Sequence, residues 1–113
     1  RMGVIKALEA AGIEHGDTFK VGKLSEAVAL YANEGWPALE KYQNYLVGYF
    51  TGDIGALNQL IHVWKFADDT DRRNFWSTLF ADADFMAFAG KLRPLVLTQE
   101  NKLMLASPWG PHP

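Results

Sequence analysis

Two strand-like segments joined by a short turn occupy the middle of the chain. Residues 45–51 read YLVGYFT and residues 56–66 read ALNQLIHVWKF, and both are rich in the aromatic and β-branched residues that favour β-strands. Residues 52–55 between them read GDIG, which has the glycine and aspartate content of a tight turn. The pattern therefore predicts an antiparallel β-hairpin.

The segment before the hairpin predicts a strand followed by a helix. Residues 16–17, Gly-Asp, are a turn signal, and residues 18–21 alternate like a β-strand. From residue 23 to about residue 44, apolar side chains recur every three or four positions, which is typical of an amphipathic helix. Pro37 lacks the N–H that an α-helix uses, so we expect a kink or break near residues 35–36.

The segment after the hairpin predicts helical structure and then a final strand. Asp68 and Asp82 each precede a run with helical spacing, and their carboxylates can accept hydrogen bonds as N-caps. Pro94 ends the second helical piece. Residues 96–105, VLTQENKLML, predict the last strand, and the proline-rich residues 107–113 predict an irregular tail.

From residue 18 onward the predicted order is strand, helix, strand, strand, helix, strand. This is the split βαβ order, so the sequence predicts an α+β, ferredoxin-like βαββαβ fold with an antiparallel sheet and helices on one face. The chain has 113 residues, the usual size of one domain, and we expect residues 1–113 to form a single domain. Apolar side chains on the open sheet face need a cover, and a second copy in a homodimer is the simplest one.

Composition argues against several classes of function. The net charge is −2 without a basic stripe, so nucleic-acid binding is not expected. The chain has no cysteine, which excludes disulfides and thiol catalysis and fits a reducing compartment such as the cytoplasm. No apolar run approaches the roughly 20 residues of a membrane helix, so no transmembrane segment is expected. The N-terminus also lacks the pattern of a secretory signal.

Four blocks of the chain share the motifs of one protein family. In the first, a GYF-like strand leads through a turn to Leu-Asn and then to a His-x-Trp strand, at Gly48, Tyr49, Phe50, Leu57, Asn58, Ile61, His62 and Trp64. The other blocks read KVGKLSEAVALYANEG, FADADFMAFAGKLRPL and QENKLM. Together they resemble the NIPSNAP family over about residues 20–109. The resemblance implies a ferredoxin-like fold that pairs into a dimeric α+β barrel, and it implies little about chemistry.

The first 20 residues depart from the pattern of that family. Residues 3–11, GVIKALEAA, predict a short helix at about residues 3–12, which Gly12 can end. Members of the family usually begin with a Tyr-Glu-x-Arg-Thr-Tyr-like strand instead. Residues 2–18 resemble the C-terminal tail of Obg-type GTPases, in which a helix leads into a Gly-Asp-Thr strand. The two resemblances together suggest a chimera, engineered or natural.

Two residues are candidates for catalysis, and each has a structural alternative. His62 shares a strand face with other motif residues, and a histidine can serve as a general acid or base near neutral pH. Alternatively, it is a hydrogen-bonded structural histidine at an interface or under a helix. Glu100 is a candidate partner for His62, or it satisfies backbone groups or Arg93. Because Glu100 and Asn101 alternate along a strand, only one of them can face a pocket with His62.

Four residues are candidates for ligand binding, namely Tyr49, Asn58, His62 and Trp64. An aromatic ring can stack on a flat ligand, although packing in the core or a dimer is the more ordinary use of aromatic residues. Asn58 can orient a carbonyl group, or it can satisfy the backbone of its loop. We expect no metal site, because the histidines lack the close spacing of metal ligands. We expect no cofactor, because the chain has no glycine-rich phosphate loop for a nucleotide and no histidine clearly placed as an axial ligand for haem, which other dimeric-barrel families bind.

These features leave three hypotheses about the function open. The first is a small dimeric barrel that binds a hydrophobic or aromatic small molecule, with or without catalysis. The second is a non-catalytic interaction or scaffold module, in which side chains fill the barrel. The third is a chimera with no function beyond folding.

Overall fold

The computed structural model describes residues 12–111, which form a four-stranded antiparallel sheet and the helices that cover one of its faces. The helix predicted at about residues 3–12 lies outside the described residues, apart from Gly12. In chain order the strands are β1 (Ile13–Val21), β2 (Leu46–Thr51), β3 (Gln59–Phe66) and β4 (Val96–Leu105). The helices are α1 (Leu24–Leu30), α2 (Trp36–Leu39), α3 (Asp69–Phe80) and α4 (Ala83–Leu92).

The strands lie in the order β2-β3-β1-β4, and every neighbouring pair is antiparallel. The first strand is therefore central although it comes first in the chain. This topology confirms the predicted α+β, ferredoxin-like fold. Among the described residues, no helix is long and apolar enough to cross a membrane.

Strand β1 is longer than the sequence predicts, and the turn expected at residues 16–17 is wrong. The strand runs without interruption from Ile13 to Val21, with β3 on one side and β4 on the other. Two ladders of hydrogen bonds hold this segment extended, and they outweigh the local turn preference of Gly-Asp. Gly16 also lies close to β4, since a Cβ atom there would be only 3.3 Å from the Met104 methyl group.

The predicted break near residues 35–36 is confirmed. A π-helical turn, Tyr31–Gly35, separates α1 from α2, and Pro37 lies in the first turn of α2. Because Pro37 has no N–H, it cannot bond the carbonyl four residues earlier, and the α-helical ladder must change there. Gly35 is buried, and a Cβ atom on it would lie 2.8 Å from the ring of Phe88 in α4. A 3₁₀ turn, Glu40–Tyr45, then leads into β2.

Both predicted N-caps are confirmed. The Asp68 carboxylate accepts a hydrogen bond of 2.7 Å from the backbone N–H of Asp71 at the start of α3. The Asp82 carboxylate accepts from the N–H groups of Asp84 and Phe85 at the start of α4. Asp82 also accepts a 2.6 Å hydrogen bond from the Tyr42 hydroxyl, and this bond ties α4 to the turn before β2.

The hairpin is confirmed, but its second strand begins at Gln59 rather than at residue 56. Asn58 has a φ of 57°, in the left-handed region that asparagine tolerates better than most residues. Residues 52–58 therefore form the connection. The Asn58 carbonyl accepts a 2.9 Å hydrogen bond from the N–H of Val21, which fastens the connection to the end of β1.

The core lies between the sheet and the helices. Its larger cluster contains Trp64 and Phe66 of β3 and residues of α2, α3 and α4, namely Leu39, Phe75, Leu79, Phe88 and Leu92. A smaller cluster contains Val21, Ala27 and Leu60 at the other end of the sheet. The buried polar residues His15, Asp17 and His62 lie on this same helix-covered face.

Candidate functional site

A row of polar side chains crosses all four strands under the helices. Tyr49 of β2 is opposite His62 of β3, His62 is opposite Asp17 of β1, and Asp17 is opposite Asn101 of β4. Directly opposite residues in an antiparallel sheet point to the same face, so the four side chains share one side. The sheet thus brings one residue each from the hairpin strands β2 and β3 and from the last strand β4 onto the same face as Asp17 of β1.

Asp17 is the centre of this row. The residue is 3% exposed, and its Oδ1 atom lies 2.6 Å from Nε2 of His15, two residues earlier on the same face. With the Asn101 amide turned so that its nitrogen faces an acceptor, that nitrogen also lies 2.6 Å from Oδ1. A carboxylate buried in this way is stabilised by such donors, because it has lost its water.

His62 is also buried, with 6% of its surface exposed. Its ring lies between aromatic rings, with centroid distances of 5.0 Å to Phe19, 5.0 Å to Tyr31 and 4.8 Å to Tyr49. Burial lowers the pKa of His62 to about 4, against the smaller opposing effect of Asp17. The imidazole is therefore neutral at neutral pH, with one nitrogen that donates and one that accepts.

Two tyrosines complete the surroundings of His62. Burial raises the pKa of Tyr31 above its ordinary value, and the nearby Tyr49 and Asp17 raise it further. Burial likewise raises the pKa of Tyr49. Both phenols are therefore neutral. The Tyr49 hydroxyl has no hydrogen-bond partner within residues 12–111.

A cavity of about 400 Å³ lies between the sheet and the helices α3 and α4. Asp17 and His62 contribute polar groups on the sheet side, while exposed Arg93 and Gln99 lie at the rim. The remaining walls are largely aromatic and aliphatic: Phe19, Tyr31, Leu39, Trp64, Trp76, Leu79, Phe80, Phe85, Met86, Phe88, Ala89, Leu92 and Val96. We call this space the main cavity. Its size and composition are those of an ordinary small-molecule site.

A second cavity of about 330 Å³ lies on the other side of His62 and Tyr31. Its walls come from α1, the π-helical turn, the start of α2 and strands β2 and β3: Val28, Ala32, Trp36, Tyr49, Phe50, Thr51 and Leu60. His62 and Tyr31 line both cavities. The two side chains thus form a partition, and the π-helical turn sets the position of Tyr31 within it.

The residues predicted from the sequence do not all meet at this site. His62 and Trp64 line the main cavity, and Tyr49 lines the second one. Asn58 is exposed in the β2–β3 connection and lines neither cavity. Glu100 is opposite Thr18 on the other face of the sheet and is exposed, so Asn101 rather than Glu100 shares the face of His62.

Three residues of the site escaped prediction. The Gly-Asp pattern predicts a turn at Asp17, and His15 belongs to no motif. Tyr31 lies in the block KVGKLSEAVALYANEG, but nothing in the sequence marks it as a site residue. The alternation of His15, Asp17, Phe19 and Val21 was the available signal, because these four residues point to one face of an unbroken strand. Among the described residues, no group of three His, Asp or Glu side chains is placed to hold a metal ion.

Comparison with known proteins gives the chain a family. The family model of NIPSNAP matches residues 18–111. A NIPSNAP family protein with unknown function from Agrobacterium tumefaciens str. C58 has 28% identity and a TM-score of 0.83, with 90% of this chain and 94% of that chain covered. A second NIPSNAP family protein of that strain has 32% identity and a TM-score of 0.78, over 84% of this chain and 85% of the other.

More distant structures share the fold alone. A dimeric ferredoxin-like protein from an uncultured marine organism has 10% identity and a TM-score of 0.58, with 90% of this chain and 93% of that chain covered. A search of curated protein sequences gives no significant match.

Proposed function

We propose that this chain, which belongs to the NIPSNAP family, binds a flat hydrophobic or aromatic molecule in the main cavity. A similar family member of solved structure has unknown function, so the proposal is argued from the site. The observation that carries this proposal is a cavity of about 400 Å³ with mostly apolar, aromatic walls and two buried polar side chains. Cavities of roughly 300–1,000 Å³ with such walls are typical ligand sites.

The neutral His62 supports a binding site that is also chemically competent. A neutral imidazole can accept a proton from a ligand, and Asp17 lies directly across the sheet. A scaffold module with a filled barrel is the alternative function. The main cavity favours the ligand-binding function, because a module that only makes protein contacts needs no such space between its sheet and its helices.

A homodimer is the second part of the proposal. Strand β4 is an edge strand, and its Leu97, Leu103 and Leu105 are each more than half exposed. Exposed apolar side chains along a long edge strand favour pairing with another chain. The marine ferredoxin-like protein of similar fold is described as dimeric.

The cysteine-free composition supports the cytoplasm as the compartment.

Naphthalene, a flat apolar probe, tests the binding proposal. We expect the free energy of unfolding to rise by about 2.7 kcal/mol when the free probe is at one hundred times its Kd, measured by thermal unfolding at increasing probe concentration. The variant Ala89→Phe places a ring in the main cavity and should weaken probe binding at least about tenfold, since one ring of lost space removes several buried apolar contacts.

Ala87→Phe is the matched control. Ala87 lies on the same helix as Ala89, but it is exposed and does not line the main cavity. This variant should bind the probe like the unchanged protein. The proposal fails if naphthalene does not stabilise the unchanged protein, or if both variants bind it equally well.

A further inference from the structure

We propose that Asp17 forms a hydrogen-bond acceptor subsite at the sheet side of the main cavity, and that the ligand is a flat aromatic molecule with a neutral hydroxyl group. This inference rests on the proposed binding function and goes further, because it names the chemical group that the cavity recognises. It follows from the two carboxylate oxygens of Asp17, from the neighbours of that carboxylate and from the charges along the cavity wall.

The two oxygens of Asp17 have different surroundings. Oδ1 is 2.6 Å from Nε2 of His15 and 2.6 Å from the amide nitrogen of Asn101. Within residues 12–111, the hydrogen bonds of the Asp17 side chain all reach Oδ1, and the residue, which is 3% exposed, lines the main cavity. Oδ2 is therefore a carboxylate oxygen without a protein donor on a residue that lines the cavity, and a ligand hydroxyl can donate a hydrogen bond to it.

His15 and Asn101 also fix the direction of the carboxylate. One donor comes from β1 itself and the other from β4, so two neighbouring strands hold Oδ1 in place. With Oδ1 held, Oδ2 is the atom left for the cavity. A preorganised acceptor of this kind loses little rotamer freedom when a ligand binds.

The neighbouring His62 makes the subsite more selective. It lies directly across from Asp17 and makes no hydrogen bond within residues 12–111, and its ring contacts are to aromatic side chains. A ligand hydroxyl that donates to Asp17 also has lone pairs, which can accept from the N–H of the imidazole. The pair Asp17 and His62 therefore matches the donor and acceptor capacity of one hydroxyl group.

The charges of the cavity wall favour a neutral polar group at this end. Asp17 is the carboxylate among the wall residues, and Arg93, the basic one, lies at the exposed rim. A ligand carboxylate next to Asp17 would be repelled. A hydroxyl gains a charge-assisted hydrogen bond without bringing a second charge into an apolar space.

Matched probes on one ring system test the subsite by calorimetric titration. Naphthalene reports the apolar cavity alone, 2-naphthol adds a donor, 2-methoxynaphthalene keeps the oxygen but not the donor, and 2-naphthylmethylamine brings a cation. We expect 2-naphthol to bind roughly tenfold more tightly than 2-methoxynaphthalene, the usual effect of one hydrogen bond to a charged acceptor. The amine should bind more weakly than 2-naphthol.

The variant Asp17→Asn tests whether the carboxylate causes the preference for 2-naphthol over 2-methoxynaphthalene. With Oδ1 held by His15 and Asn101, the amide presents its NH₂ group at the position of Oδ2, so the preference for 2-naphthol should disappear. Glu100→Gln is the matched control, because this carboxylate lies on the opposite face of the sheet and should leave the preference unchanged. If Asp17→Asn does not fold, the comparison of 2-naphthol with 2-methoxynaphthalene on the unchanged protein still tests the acceptor subsite.

The outcomes separate this inference from the proposed function. If naphthalene binds but 2-naphthol binds no better than 2-methoxynaphthalene, the acceptor subsite is wrong and the binding function stands. If the amine binds most tightly, the ligand is a cation and the hydroxyl assignment is wrong. If no probe binds, the proposed function itself fails.

Discussion

His62 lies between the two cavities, and its protonation depends on the folded chain that surrounds it. Aromatic rings pack against three sides of the imidazole, and the nearest carboxylate, Asp17, does not offset the loss of water. A neutral side chain in this position costs less than a charged one. Protonation of His62 and stability of the fold are therefore coupled.

This coupling predicts a pH dependence of stability. In the folded state the pKa of His62 is about 4, below the ordinary value of 6.5 that the unfolded chain keeps. Between these two values the unfolded chain binds a proton at His62 and the folded chain does not, so the free energy of unfolding falls as the pH drops from 6.5 towards 4. The loss is at most about 3 kcal/mol, and it levels off below the folded pKa.

Urea unfolding of the unchanged protein and of His62→Gln, at several pH values from 4 to 7.5, measures this contribution. The variant should lack the part of the slope that belongs to His62, so the difference in unfolding free energy between the two proteins should change across this window. Parallel pH profiles for the two proteins would show that His62 is not desolvated in the fold.

The sequence predicts some residues of the site and not others, for a physical reason. His62 and Trp64 were predicted because they belong to a hairpin with a recognisable pattern. Asp17 was not, because Gly-Asp favours a turn locally, and only its neighbours β3 and β4 hold it in a strand. Glu100 and Asn101 alternate along β4, so the sequence alone does not say which of them faces His62. The register of β4 places Asn101 on that face.

At the scale of elements, local signals set most boundaries. Pro37 and the two aspartate caps mark breaks and starts that depend only on neighbours in the sequence, and all three were predicted. The π-helical form of Tyr31–Gly35 was not, because it also depends on the contact of Gly35 with Phe88 in a distant helix. Such contacts carry no signal in the local sequence.

The exposed leucines of strand β4 predict which residues hold the proposed homodimer together. Its exposed Leu103 and Leu105 should contribute to the proposed homodimer, so the double variant Leu103→Lys and Leu105→Lys should be a monomer while the unchanged protein is a dimer. Sedimentation equilibrium at micromolar concentration measures the mass. Leu57→Lys is the control, since Leu57 is even more exposed but lies in the β2–β3 connection, and this variant should remain a dimer. An unchanged protein that sediments as a monomer would rule out the dimer.

At the scale of the whole molecule, the order of the elements predicted the fold, and the fold made the cavities. A central β1 brings Asp17 beside His62, although 45 positions separate them in the chain. The cavity itself was not predictable, because it depends on how far α3 and α4 stand from the sheet. That distance is set by the summed volumes of the core side chains rather than by any motif.

The most direct test of ligand binding in the main cavity is a crystal structure of the chain with 6-bromo-2-naphthol, located by the anomalous signal of bromine. The proposals predict one bromine peak inside the main cavity, towards the rim near Arg93, with the hydroxyl oxygen within hydrogen-bond distance of Asp17 Oδ2. A bromine peak only outside the main cavity, or an empty cavity at saturating probe, would contradict the central claim.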